Sequence, residues 1–206
     1  PLGCEAEGEM LDATNGVNTH KGAVFSIGIT CAALGRLNRA EWCDPARVLQ
    51  EVAAMTMGLT QQDLADVTTE NAVTAGQKLY AQYGITGIRG QVEAGLPVVL
   101  HHGLPVLENG LKLGYDINRA GCAALLEILV HSTDTNMIAR SSRERQLAWV
   151  ARVKELLTQT PYPDEAALME LDDRFIAENL SPGGSADLLA LTYLLHFFKT
   201  EEHLHV

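Results

Sequence analysis

Aromatic side chains are scarce in this sequence. Phe, Trp and Tyr make up 5% of its 206 residues, so Leu, Ala, Val and Ile must build most of any core. Cations are also few: 15 Lys and Arg stand against 26 Asp and Glu, a formal charge of −11. With an isoelectric point near 5.0, the chain lacks the cationic surface that phosphate backbones attract, which excludes a basic nucleic-acid binder. Cys4, Cys31, Cys43 and Cys122 share no close, metal-like spacing and do not make a disulfide scaffold. Cys31 and Cys122 fall in apolar helical patterns and are expected as small buried hydrophobes in a reducing, cytoplasmic protein. No uncharged apolar run reaches the roughly 18–20 residues of a membrane span; the longest, 120–130, is broken by Glu127. No basic start followed by an apolar run marks a signal peptide, and Pro1 in place of an initiator Met predicts a processed or excised fragment. The sequence is instead rich in apolar residues, at 47%, ample for a core and contrary to disorder.

Helical periodicity dominates. Apolar or small groups at Val24, Phe25, Ile27, Gly28, Cys31, Ala32 and Leu34 predict a helix over 21–37. Asp44-Pro45 reads as a cap followed by proline at the first helical position, opening a helix that runs to about Met57. Thr60 opens a short polar helix or turn, and 74–83 reads as a helix ended by Gly84. Four glycines in the twelve residues 84–95 predict a shaped loop. The stretch 97–109 starts β-branched, but its continuation through His101, Leu104 and Leu107 favours a helix. Residues 116–130 are apolar on several faces and predict the central helix. Further helices are expected over 144–158, 164–179 and 185–198, with 200–206 a frayed tail. No strand alternates convincingly, so the expected fold is all-α, a single multi-helix globular domain over 1–206.

Four polar clusters stand out. Gly16-Val17-Asn18-Thr19-His20-Lys21-Gly22 opens a helix; backbone N–H groups plus Lys21 would suit phosphate, and an ordinary capped helix is the plainer alternative. In Thr86-Gly87-Ile88-Arg89-Gly90-Gln91-Val92-Glu93, glycines flank an arginine able to hold phosphate bidentately, and Glu93 could bind Mg²⁺ or accept a hydroxyl proton. A structural turn with a solvated arginine competes with that reading. Ser132-Thr133-Asp134-Thr135-Asn136 offers hard-cation or ribose ligands, or simply the cap of a helix beginning near Asn136. Ser181-Pro182-Gly183-Gly184-Ser185-Ala186-Asp187 opens the last helix. Its glycines would let a ligand approach, and Asp187, in the first helical turn, would favour the dipole or hold Mg²⁺ against a phosphate. His101, His102, His131 and His196 have no metal-protease spacing and read as packing or surface residues.

Taken in order, Gly16 to Ser26, Thr74-Ala75-Gly76-Gln77, Gly87-x-Arg89-Gly90-x-x-Glu93-x-Gly95, Asp134-Thr135-Asn136 with Arg140, and Asn179 to Leu189 resemble the triphosphoribosyl-dephospho-CoA synthase family. The likeness runs from about Asn15 to about Leu195. It implies an all-α catalytic domain that joins ATP to 3′-dephospho-CoA. The acceptor 2′-hydroxyl attacks C1′ of the ATP ribose and adenine leaves, giving the prosthetic-group precursor for an acyl-carrier subunit of citrate lyase or malonate decarboxylase. Such glycosyl transfer passes through an oxocarbenium-like state. The resemblance also implies an upstream region with a Lys-Pro-Gly motif and acidic residues, so the chain is expected to hold about the C-terminal two-thirds of the family's length. Family members follow Asp-Thr-Asn with Arg-Gly-Gly, whereas here Arg140 precedes Ser141-Ser142.

On this reading Asp134, Glu93 and His20 are the candidate catalytic residues. Asn18, Thr19, Lys21, Arg89, Gly90, Asn136, Arg140, Gly183, Gly184 and Ser185 are candidates for substrate binding. Asp134 and Asp187 are candidates for Mg²⁺, since an acidic chain needs local cations to hold two polyanions. No nucleic acid or membrane partner is expected, and exposed apolar faces would permit a homodimer. Two alternatives remain at this point: a metal-assisted nucleotide or ADP-ribosyl hydrolase on an all-α scaffold, and a nucleotide-binding fragment without activity.

Overall fold

A computed structural model of the chain describes residues 2–16 and 19–200. Twelve α-helices occur among them: α1 (Leu2–Ala13), α2 (Lys21–Arg36), α3 (Pro45–Met55), α4 (Leu59–Leu64), α5 (Ala75–Tyr83), α6 (Gly87–Glu93), α7 (Leu104–Lys112), α8 (Ile117–His131), α9 (Thr135–Arg140), α10 (Arg143–Gln159), α11 (Glu165–Ala177) and α12 (Gly183–Thr200). A 3-10 turn at Arg39–Glu41 and a π-helical turn at Val99–Gly103 complete the order. No strand occurs among the described residues, in agreement with the all-α expectation.

The start and stop signals act as local chemistry requires. Asp44 Oδ1 accepts from the N–H groups of Ala46 (3.0 Å) and Arg47 (3.2 Å), with Pro45 first in α3. Thr74 and Gln77 form a reciprocal capping box on α5, and Gly84 ends that helix at φ 69°, a left-handed conformation glycine adopts without strain. α8 is central, as its apolar pattern predicts. Its Ile128 joins Val48, Val52, Val92, Leu191 and Leu195 in one cluster, while Leu126 and Leu129 pack with Met137, Trp149, Val153 and Phe175 in a second. The few aromatics are used sparingly. Trp149 is buried edge-on to Phe175 at 4.7 Å and donates its indole N–H to Glu178 Oε2 at 3.0 Å.

Several expectations need correction. The glycine-rich stretch 84–95 is not simply a loop but contains α6, because the fully buried Val92 docks on the first core cluster and burial outweighs glycine's poor helix propensity. Cys31 is exposed and Cys122 only half-buried. The buried face of α2 is Ser26, Thr30, Ala33 and Leu34, which turns Cys31 away from the core; at Cys122, burial pushes the thiol pKa up. α12 begins at Gly183, so Asp187 is its fifth residue and lies beyond the first turn. α1 carries no sequence signal: it buries only Met10, so no apolar stripe announces it. Of the expected tail, Thr200 closes α12, and 201–206 lie outside the described residues. No helix among the described residues is long and apolar enough to cross a membrane.

Candidate functional site

The starts of α2, α5, α6, α9 and α12 converge on one cleft of about 980 Å³. That is near the upper end of the roughly 300–1,000 Å³ typical of small-molecule sites. Helix starts present backbone N–H groups and the positive end of the helix dipole, so a wall built from α2, α5 and α12 favours an anionic ligand. The sequence clusters around Lys21, Arg89, Asn136 and Gly183, far apart in the chain, are thereby brought together.

Lys21 pairs with Glu7 of α1, and both line the cleft. Arg89 Nε donates to Asp63 Oδ2 at 2.7 Å while its side chain stays about one-third exposed on the cleft wall. Arg140 ends α9 on the same wall, exposed, and has no carboxylate partner among the described residues. Asn136, Thr19, His20, Gly90, Gly183 and Gly184 also line the cleft, whereas Asn18 lies outside the described residues. His20 occupies the cap position of α2 without a side-chain cap bond; its Nδ1 lies 2.7 Å from Thr19 Oγ1.

Asp134 takes the plainer of its two sequence readings, the cap of the helix that follows, rather than the catalytic or metal-binding one. It is 1% exposed and does not line the cleft. Its Oδ1 accepts from the N–H groups of Asn136 (3.0 Å), Met137 (3.0 Å) and Gly184 (3.3 Å), and its Oδ2 from the N–H and hydroxyl of Ser185, both at 2.8 Å. One carboxylate thus caps α9 and ties it to the start of α12. Five donors use every lone pair, leaving none for a metal or a proton. Ser185 is correspondingly buried and bonded to Asp134. Glycines allow the approach: a Cβ on Gly184 would stand 3.2 Å from Asp134 Oδ1, and one on Gly183 would stand 2.8 Å from Asn136 Nδ2. The double glycine therefore first serves the contact between two helices.

Glu93 likewise departs from its expected role. It accepts from Gly58 N–H (2.8 Å), Thr60 N–H (3.1 Å) and the Thr60 hydroxyl, anchoring the start of α4 away from the cleft. The Thr60 hydroxyl, followed by the Thr60 and Gly58 N–H groups, holds its carboxyl below the usual range.

Of the three candidate acids, Asp187 is the one that lines the cleft. Burial, and then the nearby Asp134 carboxylate, push its pKa up to about 6, against the opposing pull of His20 and the Ala23 N–H. Its carboxylate caps α2 from outside that helix, so close that a Cβ on Gly22 would collide with Oδ2. Gly22→Ala is therefore expected to destabilise by about 1–3 kcal/mol through overpacking. Gly28→Ala, in the same helix with nothing within 4 Å of the new methyl, is expected to stabilise by about 0.5–1 kcal/mol. Denaturant midpoints of the two variants check this difference in sign.

Gln91 escaped the sequence reading. It lines the cleft, and its Oε1 is buried without a hydrogen-bond partner, an acceptor awaiting a donor. Taking 84–95 as a loop hid the signal; once α6 is a helix, Gln91 falls one turn after Gly87 on the cleft side. His131 and Ser132 also line the cleft.

Comparison with known proteins places the chain in a family. The sequence profile of the ATP:dephospho-CoA triphosphoribosyl transferase family matches residues 1–205. A 2-(5″-triphosphoribosyl)-3′-dephosphocoenzyme-A synthase of Pectobacterium atrosepticum is 42% identical over 202 residues, covering 98% of this chain and 66% of the relative. A probable synthase of the same name from Citrobacter koseri is 42% identical over 210 residues, covering 100% of this chain and 68% of its own length. The chain thus spans about two-thirds of the length of the curated relatives it matches. No solved structure gives a significant match. With its ordered motifs gathered around one anion-favouring cleft, the chain belongs to the ATP:dephospho-CoA triphosphoribosyl transferase family.

Proposed function

We propose that the cleft binds ATP and 3′-dephospho-CoA and that the chain transfers the triphosphoribosyl group between them. The observation that carries this reading is the meeting of five helix starts with Lys21, Arg89 and Arg140 around one cleft that also holds Asp187. The cations and helix starts hold the triphosphate. The acceptor 2′-oxygen forms a bond to C1′ as the bond from C1′ to the adenine nitrogen breaks, and adenine takes that electron pair. Asp187, with a pKa near neutrality, takes the hydroxyl proton, as suits a general base working near its own pKa. His20 stands beside it as the proton donor to adenine or as a phosphate ligand. Gln91 offers its unpartnered oxygen to a ribose hydroxyl or adenine amino group.

Of the two aspartates read as Mg²⁺ ligands, Asp134 does not fit, since its oxygens are fully used within the protein. Asp187 fits as a single carboxylate facing a Mg²⁺ that arrives with the nucleotide and neutralises phosphate charge; no step above depends on that ion. The reading extends to a cytoplasmic setting, to a homodimer, and to an acyl-carrier subunit of citrate lyase or malonate decarboxylase as the product's destination.

Adenine release on mixing the chain with ATP, Mg²⁺ and 3′-dephospho-CoA tests the proposal. Release that requires the acceptor, with a CoA product heavier by triphosphoribose, is the expected result. Release without the acceptor would instead show a hydrolase, and no release would show that this chain alone does not carry the activity. Arg140→Ala is expected to weaken ATP binding about tenfold by removing a charge-assisted contact, measured by calorimetry.

A further inference from the structure

His102 and His131 have no part in the chemistry above. His102 sits in the π-helical turn Val99–Gly103, and its ring stacks on His131 with centroids 3.6 Å apart and planes 12° from parallel. His131 closes α8, one helical turn after Glu127. Glu127 Oε1 lies 3.1 Å from His131 Nε2 and 3.6 Å from His102 Nδ1. One ligand atom from each of the three side chains falls within 4.8 Å of the other two.

The atom separations suit shared coordination once one ring turns about its Cβ–Cγ bond, because the in-plane lone pairs of parallel stacked rings do not meet at one point. Metal–ligand bonds of about 2.1 Å at tetrahedral angles put neighbouring ligand atoms about 3.4 Å apart, a value the two observed distances bracket. Two parallel imidazoles at stacking distance repel if both are protonated. Isolated π-turns inside helices concentrate at functional sites, and this one carries a member of the trio.

We propose that His102, Glu127 and His131 form a binding site for a borderline transition cation, with Zn²⁺ as its reference ion. Two imidazole nitrogens and one carboxylate oxygen suit Zn²⁺ or Co²⁺, whereas Mg²⁺ and Ca²⁺ prefer all-oxygen ligand sets. Three protein ligands leave a fourth position for water or a phosphate oxygen. Because His131 lines the cleft, the ion sits in the cleft wall. The site is separate from the aspartates discussed for Mg²⁺ and does not rest on the proposed transferase activity.

The test is titration of the purified chain with Co²⁺ in the absence of nucleotide, followed by visible absorption and then by displacement with Zn²⁺. The expected result is saturation at an equimolar ratio, reversal by Zn²⁺, and binding weaker by about tenfold or more in both His102→Ala and Glu127→Gln. Circular dichroism confirms that the variants are folded, and the near-isosteric Glu127→Gln keeps the test valid if His102→Ala is not. Absence of Co²⁺ absorption in the parent chain overturns the site, as does equal affinity in the parent and a folded variant. Since no nucleotide is present, either outcome leaves the transferase proposal to its own assay.

Discussion

Asp134→Ala is expected to lower stability by about 4 kcal/mol, an effect on folding rather than on chemistry. The substitution leaves the N–H groups of Asn136, Met137, Gly184 and Ser185 and the Ser185 hydroxyl without their acceptor. Loss of a helix cap costs about 1 kcal/mol, and here one carboxylate serves the starts of both α9 and α12. Orphaned buried donors cost roughly 1–3 kcal/mol, and breaking a buried charged network costs about 3–5 kcal/mol. In a chain of this size each kcal/mol moves the melting temperature by about 2–4 °C, so a fall of about 8–16 °C should follow. Asp134→Asn, which keeps one acceptor oxygen, should lose less. Thermal and urea unfolding decide the matter: an unchanged melting temperature with abolished turnover would return Asp134 to the catalytic set.

Asp187→Asn is expected to do the reverse, lowering turnover by on the order of 10²–10⁴ while leaving the protein slightly more stable. The folded pKa of about 6 exceeds the ordinary 3.8, so the native state holds this proton more tightly than the unfolded chain does. That stability is fully present below about pH 3.8 and is lost as pH rises through about 6. At neutral pH the ionised, half-buried carboxylate therefore works against folding. Removing its charge should stabilise by about 1 kcal/mol after allowance for solvent screening. The amide oxygen can still accept from the Ala23 N–H, so the cap on α2 survives. Turnover of the parent chain should rise with pH through about 6 as the base ionises, and the variant should lack that step. A pH–rate profile beside a melting curve measures both, and a variant with full turnover would remove Asp187 from the mechanism.

Local signals are legible in the sequence where one residue bonds to its near neighbours. Asp44-Pro45, Thr74 with Gln77, and Gly84 marked helix ends because a cap bonds to backbone two or three residues away. The apolar faces of 116–130 marked the central helix because burial is periodic in the chain. Ordered motifs identified the family because their residue types survive in sequence whatever their partners do. Beyond the cap that Asp134 places on α9, the roles of the acids were not legible in this way. Asp134, Glu93 and Asp187 are all carboxylates near glycine or threonine, and nothing in their local sequence tells a clamp from a base. Asp134 meets Gly184 and Ser185 fifty residues away, Glu93 meets Thr60 across thirty-three, and Asp187 is buried against the start of α2. Most of the helices, the family and the polar residues from which a site is built were legible in the chain, since those depend on local bonding and composition; α1 and α6 were not, because neither carries an apolar stripe. Which of Asp134, Glu93 and Asp187 faces the cleft follows from the packing of distant helices, because availability and pKa depend on burial and on the donors those helices bring.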